Sequence, residues 1–94
     1  MPDDDDPVRV PIEDAIDLHS FAPRDVISVV GEYLHAARDA GFTDVRLIHG
    51  RGKGVQRADI HRMLRGHVLV ESFRDAPESH LGATLVHLRR DPNR

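Results

Sequence analysis

The sequence predicts a two-layer α/β sandwich in the order β-α-β-α-β-β. Three observations predict it. Short apolar runs of strand type occur at residues 15–21, 45–49, 68–73 and 83–88. Two intervening stretches carry apolar residues at helical spacing, and each ends at a glycine. The chain has only 94 residues, so one modest core is all it can bury, and two helices on one face of one sheet satisfy that limit.

The first strand, 15–21, points Ile16 and Leu18 one way and Asp17 and His19 the other. Pro23 opens the first helix, where a missing N–H costs nothing. Val26, Val30, Leu34 and Ala37 form its apolar stripe, widened by Ile27 and Tyr33, and Gly41 closes it in a left-handed cap. In the second strand, 45–49, Val45, Leu47 and His49 share a face opposite Arg46 and Ile48. A second helix over 55–65 buries Ile60, Met63 and Leu64 and stops at Gly66. The third strand spans 68–73, a loop containing Pro77 spans 75–79, and the fourth strand spans 83–88. Residues 1–14 read as an acidic tail and extended lead-in, 15–90 as the domain, and 91–94 as a polar C-terminal tail.

Composition narrows the function classes. There is no cysteine, which excludes disulfides and thiolate metal sites. No apolar run approaches the ~20 residues of a membrane span, and no secretory signal is visible, so a cytoplasmic protein is expected. The net charge is −3, with 13 basic and 16 acidic residues. Its distribution matters more than its sum. Residues 1–14 hold Asp3, Asp4, Asp5, Asp6, Glu13 and Asp14 against Arg9 alone, so the remainder is mildly basic. Arg51, Lys53, Arg57, Arg62 and Arg65 face only Asp59 within one short stretch. The acidic run reads as a solvated tail, or as a nucleic-acid mimic shielding that patch.

Two motifs carry the chemistry. Asp17-Leu18-His19 ends the first strand, and His49-Gly50-Arg51-Gly52-Lys53-Gly54 follows the second. Alternating glycines and cations before a helix N-terminus suit a phosphate: the backbone turns tightly, its N–H groups are accessible, and the charge is met twice. If the first two strands are parallel neighbours, their C-terminal ends bring both motifs to one edge of the sheet, where open α/β sheets bind ligands. His19 and His49 suit general acid–base work near neutral pH, and Asp17 suits orienting a histidine or holding a divalent cation such as Mg²⁺ or Mn²⁺. A structural role at a strand end or tight turn stays open for all three, as does a zinc site built from them. His61 lies within the second helix, where burial or solvent exposure is expected. His35, His67, His80 and His87 show no metal-ligand spacing.

These residues resemble the Smr (small MutS-related) domain, known as an appendage of mismatch-repair-like proteins and as stand-alone proteins, of which this chain resembles a member. The resemblance runs from about Pro11 to Arg90. It includes Arg9-Val10-Pro11-Ile12, the helix-borne His61 and Gly82-Ala83-Thr84-Leu85-Val86 in the last strand. Ser20 stands where many members have glycine or threonine, and residues 78–82 depart from a more glycine-rich run. The resemblance implies a mixed four-stranded sheet like that of the C-terminal domain of translation initiation factor 3, with the fourth strand between the second and third. It also implies DNA or RNA binding, with endonuclease or nicking activity in some members, in DNA repair, recombination or RNA-related processes. On that reading Asp17, His19 and His49 are catalytic, Gly50, Arg51, Gly52, Lys53, Gly54 and Arg57 bind nucleic acid, and the domain acts as a monomer. The alternative is a non-catalytic nucleic-acid or protein-interaction module, the latter using the open sheet face. Four scattered aromatic residues are too few for a base-stacking platform, which favours phosphate recognition.

Overall fold

A computed structural model describes residues 12–50, 55–80 and 82–89. The elements are β1 (Ala15–Asp17), α1 (Val26–Asp39), β2 (Asp44–Ile48), α2 (Val55–Arg65), β3 (Val70–Asp75) and β4 (Ala83–Leu88). Single 3₁₀ turns at Pro23–Asp25 and Pro77–Ser79 precede α1 and β4.

The sheet order is β1-β2-β4-β3. β1 pairs parallel with β2, and β4 runs antiparallel to both of its neighbours, β2 and β3. β1, β2 and β3 therefore point the same way, and β4 lies between the second and third strands. The mixed sheet with two helices is the predicted architecture.

One apolar cluster holds both helices against the sheet. It joins Leu18 from the β1 end, Val45 and Leu47 from β2, and Val86 and Leu88 from β4 to Val26, Val30, Leu34 and Ala37 of α1 and Ile60 and Leu64 of α2. The α1 residues recur at helical spacing, so a single stripe faces the sheet. Tyr33 joins the stripe and donates its hydroxyl to the Glu13 carbonyl at 2.5 Å. Burial, then Asp14 and Glu13, pushes that phenol up to about 12.

The end of α1 follows from Gly41. At φ +94° it takes the left-handed turn that lets its N–H reach the Arg38 carbonyl and the Phe42 N–H reach the Ala37 carbonyl. This paired closure satisfies carbonyls that the helix would leave unmet, and Phe42 packs onto the core.

Several boundaries differ from expectation. β1 stops at Asp17 rather than residue 21, because the Asp17 carboxylate accepts the His19 backbone N–H at 3.1 Å and turns the chain. β3 starts and ends two residues later than predicted. His67 and Leu69 complete a turn after α2, and a bulge lies between Val70 and Ser72. Ile27 is exposed, not part of the stripe. Ordered structure also begins before residue 15: Ile12 packs on the core, and the Asp14 carbonyl accepts the Arg46 N–H.

Two substitutions test this packing. Leu34 is fully buried, so Leu34→Ala should cost about 2–5 kcal/mol in urea denaturation through lost contacts and a residual cavity. A Cβ on Gly41 would meet nothing within 4 Å, so Gly41→Ala should cost only its backbone strain, about 1–2 kcal/mol. Equal losses at the two positions would contradict this account.

Candidate nucleic-acid interface at the strand ends

Parallel pairing sets Asp17 opposite Ile48. The DLH motif and the exit from β2 therefore lie at one edge of the sheet, as the sequence predicted. Alternation then separates the side chains. Leu47 is buried on the helix face, so His49 returns to that face and is only 4% exposed. Asp17 shares the opposite face with Ile48 and is exposed.

The exposed half is a carboxylate–imidazole pair. Oδ1 of Asp17 lies 2.5 Å from Nδ1 of His19, whose side chain is 73% exposed. The same oxygen accepts the His19 backbone N–H. These bonds, the backbone one first, hold the Asp17 carboxyl below the usual carboxylate range. With Nδ1 turned toward Asp17, Nε2 of His19 has no hydrogen-bond partner among the described residues.

The buried half is a chain of polar groups between the sheet and α2. Nδ1 of His49 lies 3.0 Å from the Gly50 carbonyl, and Nε2 lies 2.9 Å from Oγ1 of Thr84. Thr84 is fully buried on β4, and its Oγ1 also lies 2.8 Å from Nε2 of His61 on α2. His61 packs edge-on against Phe73, with ring centroids 4.8 Å apart. Its Nε2 is 3.9 Å from Oδ1 of Asp75. Asp75 stands opposite Thr84 on β3 and takes two bonds from Arg57, 2.8 Å from Nε and 2.7 Å from the terminal nitrogen. This fork holds the Asp75 carboxyl below its ordinary value.

The backbone at the exit from β2 is equally constrained. The N–H groups of His49 and Gly50 both donate to the Gly82 carbonyl, at 3.1 and 2.9 Å. Gly50 adopts φ +81°. A side chain there would be strained whatever the space around it, so a glycine is needed where the chain turns toward α2.

The predicted site is thus divided. Asp17 and His19 form one unit. His49 belongs to another, its two ring nitrogens directed at Gly50 and Thr84. Arg57, expected to contact nucleic acid, has its charge met by Asp75. Arg62 is paired with Asp59 at 3.1 Å. Arg51, Gly52, Lys53 and Gly54 lie outside the described residues. Among the described residues no group of three or more histidine or acidic side chains is placed to hold a metal ion.

Sequence reasoning missed Thr84, His61 and Asp75. A signal for Thr84 was available. It shares the alternation phase of Val86 and Leu88, which puts a hydroxyl at a core position. His61 follows the buried Ile60 and precedes Leu64 by three, on the border of the apolar stripe. Asp75 has no such signal, because the predicted third strand stopped short of it.

The open sheet face, opposite the helices, carries mixed charge. Arg46 pairs with Glu78 at 2.5 Å and His87 with Asp44 at 2.9 Å. No helix among the described residues is long and apolar enough to cross a membrane.

Burial, followed by the charge of Arg57, holds the His61 imidazole below its ordinary value of 6.5. Burial acts on His67 in the same direction. The unfolded chain therefore takes up these protons first as pH falls. Stability is full above 6.5 and declines as pH drops through that value toward the folded-state values. Thermal melts from pH 8 to pH 5 should show that decline, and His61→Gln should shallow it. An unchanged slope in the variant would show that His61 is not a contributor.

Comparison with known proteins places this arrangement. The profile of the Smr domain matches residues 16–89. The endonuclease MutS2 of Caldicellulosiruptor saccharolyticus is 42% identical over 77 residues, covering 80% of this chain and 10% of that protein. The endonuclease MutS2 of Pelotomaculum thermopropionicum is 43% identical over 79 residues, covering 82% and 10%. The chain spans about a tenth of the length of these relatives. Among solved structures, the Smr domain of Thermus thermophilus MutS2 superposes with a TM-score of 0.78 at 36% identity, covering 83% of this chain and all of that one. YdaL, a stand-alone small MutS-related protein from Escherichia coli, shares the fold with a TM-score of 0.75 at 23% identity, covering 88% of this chain and 70% of that one. The two motifs, the strand order and these matches agree: the chain belongs to the Smr domain family.

Proposed function

We propose that this domain binds nucleic acid through its phosphates and nicks the backbone at the strand ends, working as a monomer in the cytoplasm in repair, recombination or RNA-related processes. The observation that carries the reading is the exposed Asp17–His19 pair beside the exit from β2, from which the chain enters Gly50-Arg51-Gly52-Lys53-Gly54. Homology to the Smr domains of proteins named endonucleases supports it.

With its Nδ1 proton directed at Asp17, His19 presents a lone pair on Nε2. That nitrogen takes the proton from the attacking oxygen, a water or a ribose 2′-hydroxyl. A new bond forms to phosphorus, the bond to the leaving oxygen breaks, and solvent supplies that oxygen's proton. Asp17 stabilises the imidazolium that results. Arg51, Lys53 and the first N–H groups of α2 balance the charge gathering on the phosphate oxygens. His49, 4% exposed with both ring nitrogens engaged, shapes the turn at Gly50 rather than exchanging protons with the phosphate.

A second reading, a binding module without catalysis, draws on that same burial of His49, since it removes one half of a histidine acid–base pair.

Purified protein should be incubated with duplex DNA, branched DNA and structured RNA, with chelator, Mg²⁺ or Mn²⁺. Arg51→Ala with Lys53→Ala should weaken binding across unrelated sequences and lower the salt slope by about 2, roughly 0.9 per lost phosphate contact. Tight binding by the double variant at moderate salt would move the phosphate site elsewhere.

His19→Ala and Asp17→Asn should each lose cleavage by at least about a hundredfold while binding persists, since removal of a general base costs on the order of 10²–10⁴. Cleavage surviving in His19→Ala would overturn the assignment. A parent that binds but never cuts would leave the binding module.

A further inference from the structure

We propose that Thr84 and His61 are positioning residues that lock the His49 imidazole in a single tautomer and thereby fix the Gly50 turn where the chain leaves β2. The purpose of this device rests on the nucleic-acid reading above; its geometry does not.

Each neutral imidazole and the hydroxyl have one proton to give. A peptide carbonyl can only accept, so the 3.0 Å contact to Gly50 puts a proton on Nδ1 of His49. A neutral ring carries one proton, which leaves Nε2 as a lone pair 2.9 Å from Thr84 Oγ1. The Thr84 hydroxyl donates to it. That hydroxyl has no second proton, so its other neighbour, Nε2 of His61 at 2.8 Å, is the donor. Burial keeps the His61 ring in its neutral form, with its proton on this nitrogen. Asp75 lies 3.9 Å from the same nitrogen and draws the proton to that side of the ring, while the Arg57 fork fixes the carboxylate.

Every bond in the chain therefore runs one way: His61 to Thr84, Thr84 to His49, His49 to the Gly50 carbonyl. Reversing any bond leaves two protons or two lone pairs facing each other in a buried space, which is costly. The Thr84 hydroxyl gives and takes at a single oxygen, as the His49 ring does across its two nitrogens. Three parts of the fold meet on that oxygen: the exit from β2 through His49, α2 through His61, and β4 through Thr84 itself.

The test needs no nucleic acid for its first part. Two-bond ¹H–¹⁵N spectra of the imidazoles should place the proton on Nδ1 of His49 and on Nε2 of His61. A parent with its His49 proton on Nε2 overturns the proposal outright, whatever the variants do. Thr84→Val removes the hydroxyl and nearly keeps the shape; it should mix the His49 tautomers and shift the Gly50 amide, and Thr84→Ser should restore both. A folded Thr84→Val protein whose His49 nitrogens and Gly50 amide do not move also overturns it. If valine does not fold, the parent tautomer and its retention in Thr84→Ser decide. In the second part, Thr84→Val should weaken duplex binding on the order of tenfold, with recovery in Thr84→Ser. Expected tautomers in a parent that binds no nucleic acid would support the positioning device and overturn the proposed function alone.

Discussion

The register between β2 and β4 governs this molecule. Leu47 faces Thr84 and Ile48 faces Ala83. Strand side chains alternate with a period of two, so a slip of one residue would send Thr84 to the open face and put Ala83 or Leu85 beneath α2. The apolar cluster prevents the slip, because the same register sends Val86 and Leu88 into the core. The hydrophobic pattern thus decides where one hydroxyl sits. The polar chain from Arg57 to Gly50 then assembles around it, while parallel pairing on the other side of β2 brings the DLH motif alongside. Core and site are two outcomes of one registration.

Much of this was legible in the sequence. Short apolar runs of strand type and helical spacing locate all six main elements, and Pro23 and Gly41 punctuate the first helix as their backbone chemistry requires. Adjacency of the two motifs follows from the short parallel crossover. Placing the fourth strand between the second and third required the family resemblance, because periodicity does not encode strand order. The face of His49 was also legible, since it shares the phase of Val45 and Leu47. Its partners were not. Thr84 lies 35 positions away and His61 12 positions away, and they meet His49 only because β4 inserts beside β2. Arg57 illustrates the same limit. In sequence it is one cation among five; in the fold it is bound to an aspartate from a strand whose end the alternation did not reveal.

Two imidazoles at one edge of a sheet have been given opposite environments. His19 keeps its exposure and a single carboxylate, an arrangement that orients a ring without enclosing it. His49 is enclosed and satisfied on both nitrogens, which suits rigidity. In the proposed function, the exposed ring is open to an extended, shallow substrate such as a nucleic-acid backbone. The buried ring braces the turn leading into the cationic loop. Flexible contact beside a fixed anchor is a reasonable physical solution for a domain too small to build a deep pocket.

β1 has only three residues, and among the described residues it lies at the sheet edge with β2 as its sole strand neighbour. Edge position and brevity put a strand at the low end of a protein's range of local opening free energies. The Asp17–His19 pair is attached to that strand, not to the doubly paired centre. Amide exchange through β1 can therefore outpace global unfolding, carrying the pair with it, while the Thr84 junction stays closed. The Asp17–His19 edge and the Thr84 interior of one small sheet thus belong to different tiers of cooperativity.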